Sequence, residues 1–217
     1  MKYRAGIFDL DGTLLDTLED LADSMNEALA TLGFPIHDMD RYRFFVGEGI
    51  QLLVARTIPE DRRDDATVEL ATKLYREAYG RNWHRKSRPY DGIMEMIAEL
   101  QAASVPMAVL SNKPDHFTQL CMKHFFPAGT FQIILGQRET VARKPDPAAA
   151  YEIAFSMEIP PGKFAFIGDT ETDIKTGLAA GMASLGVAWG FRPVEELVQS
   201  GATAIVRHPS EILPFFV

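Results

Sequence analysis

The sequence predicts an α/β protein: a parallel, Rossmann-like sheet layered between helices, with a helical unit inserted after its first strand. Three observations predict it. From Pro89 onward, short apolar runs alternate with amphipathic helical segments. One further apolar run, Ala5-Gly6-Ile7-Phe8, stands near the start of the chain and stops at Asp9. Between Leu18 and Arg88 only helical periodicity occurs.

In order, Ala5–Phe8 reads as a buried strand entering the loop Asp11-Gly12-Thr13. Leu18, Leu21, Met25, Ala28, Leu29 and Leu32 recur at three- and four-residue steps, one stripe of a helix that Gly33 ends. Helical stretches follow around Ile50–Arg56 and Ala66–Tyr79. Beyond Pro89, Ile93, Ile97 and Leu100 mark a helix and Met107–Leu110 a strand. Helix Phe117–Lys123, strand Phe131–Leu135, helix Ala148–Met157 and strand Phe164–Ile167 come next. Helix Thr172–Ala180, strand Ala183–Val187, helix Val194–Ser200 and strand Ala204–Val206 complete the series. Such alternation requires crossover connections and a parallel sheet. The expected domains are an α/β core, residues 1–15 and 90–217, and a helical cap, residues 16–89. Hinges are expected near Leu15–Thr17 and Arg88–Asp91.

Composition narrows the function. At 217 residues with 47% hydrophobic and 24% charged side chains, the chain is an ordinary globular protein. Its net charge of −8 argues against nucleic acid as partner, because phosphate backbones are bound through basic patches. No apolar run approaches the roughly 18 residues of a membrane span. The single cysteine, Cys121, excludes an internal disulfide and reads as a buried apolar residue. A cytoplasmic protein, monomer or homodimer, acting on a small phosphorylated metabolite is the expectation. His84 and His116 lack metal-ligand spacing, and Lys73 and Lys86 read as solvated.

The polar residues share an address. Asp9 and Asp11 follow the first strand, Ser111 and Asn112 follow Leu110, Lys144 follows the strand ending near Leu135, and Asp169 and Asp173 follow Ile167. In a parallel sheet these strand ends lie on one edge, where ligands of open α/β sheets bind. Singly, each motif reads as a turn or a helix cap; together they do not. Four carboxylates with one lysine repel unless a cation intervenes, and Mg²⁺ with phosphate oxygens suits that donor set. Asp9 is placed to attack phosphorus as a carboxylate nucleophile, and Asp11, two residues on, to act as general acid and base. Thr13 and Ser111 offer hydroxyls to phosphoryl oxygens, and Lys144 offers charge.

Phe8-Asp9-Leu10-Asp11-Gly12-Thr13-Leu14, Leu110-Ser111-Asn112-Lys113, Lys144-Pro145 and Gly168-Asp169-Thr170-Glu171-Thr172-Asp173 resemble, in order, the four motifs of the haloacid dehalogenase superfamily. The resemblance implies a core with a helical cap inserted after the first motif. It implies Asp9 as nucleophile and metal ligand, Asp11 as acid/base with its carbonyl on the metal, and Asp169 as a further ligand. Asp173 would support the metal or Lys144, Lys144 would bridge Asp9 and phosphate, and Ser111 and Asn112 would hold the phosphoryl group. Within the superfamily, Phe45-Val46-Gly47-Glu48-Gly49, Ser111-Asn112-Lys113-Pro114 and Gly186–Arg192 are most similar to phosphoglycolate phosphatases. Gly47, Glu48 and Gly49 are then candidate substrate readers, and Lys113 or Arg43 the cation for a substrate carboxylate. A small residue such as Ala is expected where Gly177 stands. A β-phosphoglucomutase-like mutase would keep all four motifs. A receiver-like phosphoaspartate signalling module would need neither Asp11 nor a cap.

Overall fold

The computed structural model describes residues 2–217, so the first residue of the expected 1–15 segment lies outside the described residues. Strands β1 (Ala5–Phe8), β4 (Met107–Pro114), β5 (Ile133–Gln137), β6 (Phe164–Gly168), β7 (Ala183–Val187) and β8 (Ala204–Val206) form a parallel sheet in the order β5-β4-β1-β6-β7-β8. The antiparallel pair β2 (Leu15–Asp16) and β3 (Arg88–Pro89) stands apart from it. The α/β architecture is therefore the expected one.

Alternation along the strands sorts side chains to two faces. Phe8, Val109, Ala165 and Ile167 join one apolar cluster, with α5 (Ile93–Ala102) and α6 (Asp115–Phe125). Ile7, Ala108, Leu110, Phe164 and Phe166 join another, with α7 (Ala148–Ser156). Helices α8 (Glu171–Ala179) and α9 (Val194–Gln199) complete the crossovers around β6, β7 and β8. Phe216 is buried in the first cluster, with Phe215 packed against it.

Four helices lie between β2 and β3: α1 (Leu18–Thr31), α2 (Met39–Phe45), α3 (Ile50–Thr57) and α4 (Asp65–Asn82). Their apolar faces form a third cluster, including Leu21, Met25, Leu29, Tyr42, Leu53, Val54, Tyr75 and Tyr79. Gly33 has φ +71° and closes α1: its N–H donates to Ala30 O at 3.1 Å, and Phe34 N–H to Leu29 O at 2.9 Å. Helix α2 was not expected; its seven residues are too few for a periodic stripe, and only Tyr42 is buried.

Both connections to these helices are tied together. Leu15 pairs with Pro89 and Asp16 with Arg88. The buried Asp20 carboxylate accepts from the N–H groups of Lys86 and Ser87 and from Ser87 Oγ, at 2.7–3.1 Å. Trp83 packs against both the helical and the sheet clusters.

Other differences from the expectation are local. Strand β4 continues past Leu110 to Pro114 with a register shift, so Ser111, Asn112 and Lys113 lie on an irregular strand end rather than in a loop. Strand β5 begins at Ile133, two residues late. Gly177 is glycine for a packing reason. A Cβ there would lie 2.3 Å from Ser184 Oγ and 2.8 Å from Phe166 Cβ, so even alanine collides where α8 meets the sheet.

Candidate active site

Asp9 leaves the carboxyl end of β1 at the centre of the sheet, where the strands to either side connect in opposite directions. Its neighbours β4 and β6 bring Ser111 and Asp169 to the same edge, and the start of α8 brings Asp173. Lys144 arrives on the segment between β5 and α7, before a cis Pro145. All five are buried.

Lys144 Nζ lies 2.9 Å from Asp9 Oδ1 and 2.7 Å from Asp173 Oδ1, and donates to Leu110 O at 2.9 Å. Lys144 is thus the one group within ion-pair distance of Asp9 Oδ1 among the described residues. Burial lowers the proton affinity of the Lys144 ammonium, but Asp173 and Asp9 outweigh it, and the net shift is upward. Burial pushes the Asp9 carboxyl up to about 7; Lys144 opposes the shift and Asp173 and Asp11 add to it. Burial also drives Asp169 well above the usual carboxylate range, with Asp173 and Asp9 adding to it.

Asp9, Asp169 and Asp173 offer ligand oxygens within 4.8 Å of one another. Three buried carboxylates around one lysine leave uncompensated negative charge, which fits a hard divalent cation. Asp169 is already oriented: Oδ1 accepts from Thr13 Oγ1 at 3.1 Å and Oδ2 from Phe191 N–H at 2.9 Å. Gly12 and Gly190 let the chain close over it. A Cβ at Gly12 would lie 2.3 Å from Asp169 Oδ2, and one at Gly190 2.2 Å from Asp169 Cβ. Trp189 Nε1 donates to Thr13 O at 3.0 Å, which holds the first loop from the far side.

Asp11 is held differently. Its Oδ1 accepts from Thr17 Oγ1 at 2.7 Å, and Lys113 Nζ donates to both its oxygens, at 2.8 and 3.0 Å. Lys113 is buried, with its ammonium 4.8 Å from the centre of the Tyr79 ring. Burial weakens its proton affinity, but Asp11 first, with Cys121 and Tyr75, outweighs it, and the net shift is upward. The sequence offered no sign of this pairing across 102 residues.

A pocket of about 530 Å³ of empty space, part of it open to solvent, lies over Asp9 and Asp11. Ser111, Asn112 and Lys113 line one side; Leu21, Val46, Ile50, Leu53 and the stacked Tyr75 and Tyr79 line the other. Gly47 and Gly49 reach the pocket, whereas Glu48 is not among its lining residues and pairs with Arg56. Arg43 is not among them either: its Nη1 donates to Gly190 O at 3.4 Å. Asn112 has its side chain fully engaged by backbone. Nδ2 donates to Gly47 O and Lys144 O, both at 3.1 Å, and Oδ1 accepts from Lys144 N–H at 2.9 Å.

The model of the haloacid dehalogenase-like hydrolase family matches residues 6–187. A phosphoglycolate phosphatase of Pseudomonas syringae pv. syringae is 30% identical over 212 residues, covering 96% of this chain and 78% of that protein. One from Psychrobacter arcticus is 32% identical over 203 residues, covering 91% and 88%. A crystal structure described as a putative phosphoglycolate phosphatase from Lactobacillus delbrueckii subsp. bulgaricus superposes with a TM-score of 0.92 at 32% identity, covering 98% of this chain and 97% of that one.

Proposed function

The chain belongs to the haloacid dehalogenase-like hydrolases and is a phosphoric monoester hydrolase, and we propose that it works through Asp9 with Mg²⁺ and takes 2-phosphoglycolate as substrate. The observation that carries the chemistry is Asp9 itself. It is a buried carboxylate at the central strand end, with Lys144 Nζ 2.9 Å from Oδ1 and ligand oxygens of Asp169 and Asp173 within 4.8 Å. Asp9, Asp169 and the Asp11 carbonyl would hold Mg²⁺, with Asp173 in support, and the ion would neutralise charge on phosphoryl oxygens.

The protein's own groups account for the rest. Asp9 attacks phosphorus and carries the phosphoryl group as an acyl phosphate. Lys144 holds the Asp9 carboxylate and draws charge from the phosphoryl oxygens as it builds. Ser111 and Thr13 are the nearby hydroxyls. Asp11 gives a proton to the leaving oxygen and later takes one from water, restoring Asp9 and releasing phosphate.

The same reading divides the chain into a core, residues 1–15 and 90–217, and a cap, residues 16–89. The separate apolar cluster of α1–α4 and the paired β2 and β3 connections support that division. The cap faces the site with an apolar and aromatic wall, suited to excluding water during transfer.

The substrate assignment rests on the relatives' names and on Lys113, the one cation among the described residues that line the pocket. Asp9→Asn should abolish turnover without unfolding the chain, and EDTA should stop it until Mg²⁺ returns. Hydrolysis at the wild-type rate by Asp9→Asn sinks the nucleophile. Lys113→Met should raise KM for 2-phosphoglycolate more than for ethyl phosphate, which lacks the carboxylate; equal effects refute Lys113 as its partner.

A further inference from the structure

The resemblance assigned Asn112 to the phosphoryl group, but its side-chain atoms are occupied by the protein. Both Nδ2 contacts and the Oδ1 contact are to backbone, and the residue is buried. Two of these contacts grip Lys144, whose ammonium holds Asp9 and Asp173. The third reaches Gly47, on the turn between α2 and α3. The backbone shape of that turn calls for glycine. Gly47 and Gly49 have φ of +107° and +89°, a region that favours glycine. The turn also packs on the core: a Cβ on Gly47 would make ordinary contact with Thr170 Cγ2 at 3.4 Å, and one on Gly49 with Asn112 O at 3.5 Å. Arg143, the residue before Lys144, donates to Glu48 O at 3.1 Å. The helical turn is thus seated on the strand end and the lysine segment by main-chain acceptors.

From this junction we infer that Asn112 is a positioning residue that couples closure of the helical unit to the placement of Lys144. With the turn in place, one amide satisfies Gly47 O and Lys144 O together. With the turn withdrawn, Asn112 loses one of its three partners and its hold on the lysine segment loosens. Closure and the alignment of the Asp9 ion pair then occur as one event. The inference rests on the phosphatase reading for its kinetic consequence, but the coupling itself is a property of the fold.

The test is Asn112→Asp. It keeps the acceptor for Lys144 N–H and sets a carboxylate oxygen against two carbonyls. With p-nitrophenyl phosphate and Mg²⁺, kcat should fall by about 10- to 100-fold, the scale of leaving buried polar groups unpaired, while KM stays near wild type. Amide hydrogen exchange without substrate should show faster exchange at Lys144 and across residues 47–53 together. Asn112→Ser, which is smaller and uncharged, should move both readouts in the same direction and decides the matter if the aspartate variant does not fold. A raised KM with unchanged kcat overturns the inference in favour of direct substrate contact. Unchanged exchange at Lys144, or loosening of only one of the two segments, also overturns it. Absence of turnover in the wild type refutes the phosphatase reading, and the exchange experiment separately decides the coupling.

Discussion

Replacing Lys144 with methionine isolates the electrostatics of the site. The ammonium stands between Asp9 and Asp173, at 2.9 and 2.7 Å, all three groups buried. Breaking a buried pair from one side costs about 3–5 kcal/mol, because the remaining charge is left uncompensated. For a chain of this length 1 kcal/mol corresponds to about 2–4 °C, so Tm should drop by about 6–20 °C. The drop should depend on pH. Asp9 has its carboxyl raised to about 7, by burial first, whereas an unfolded aspartate titrates near 3.9. A raised carboxyl favours the fold when protonated, and that contribution is lost as pH rises through the folded value. Without Lys144, the charge opposing the rise is gone, and Asp9 moves further up. The variant should therefore lose most stability at pH 8 and distinctly less at pH 5, where Asp9 is protonated in the fold. Thermal unfolding in EDTA at both pH values measures this. An equal drop at pH 5 and pH 8, or none at pH 8, would refute the reasoning.

Other perturbations follow from the same geometry. Gly177→Ala should destabilise the chain by about 1–3 kcal/mol, the cost of overpacking, since its Cβ meets Ser184 Oγ at 2.3 Å; chemical denaturation reads it, and a neutral result contradicts the packing account. Gly12→Ala forces a side chain into a φ of +88° and against Asp169; if Asp169 holds Mg²⁺ as proposed, half-saturation by Mg²⁺ in activity or calorimetry should weaken about 10- to 100-fold, the scale of disturbing a ligand's support. Mg²⁺ binding should compete with the Asp9 proton, so calorimetric affinity should tighten as pH rises through about 7 and release a proton; a pH-independent affinity argues against Asp9 as a ligand.

Much of the site was legible because it depends on strand ends. An apolar run that stops at an aspartate marks where a buried strand meets the sheet edge, and this holds for Asp9 and Asp169 without knowledge of their neighbours. The order of motifs then brought Lys144 and Asp173 to them. The short helix α2 escaped because a seven-residue helix with one buried side chain carries no periodic signal. The end of β4 escaped because polar residues on an irregular strand look like loop.

By itself, then, the sequence determined the layered α/β core, the inserted helices and the carboxylates that gather at one edge, since these follow from local periodicity and the geometry of parallel sheets. Only the tertiary structure decided how the polar atoms pair. Lys113 rests on Asp11, 102 residues away, and Asn112 joins Gly47 to Lys144 across 65 and 32 residues. Such contacts depend on distances of a few ångströms between segments that are remote in the chain, and hydrophobic patterning does not encode them.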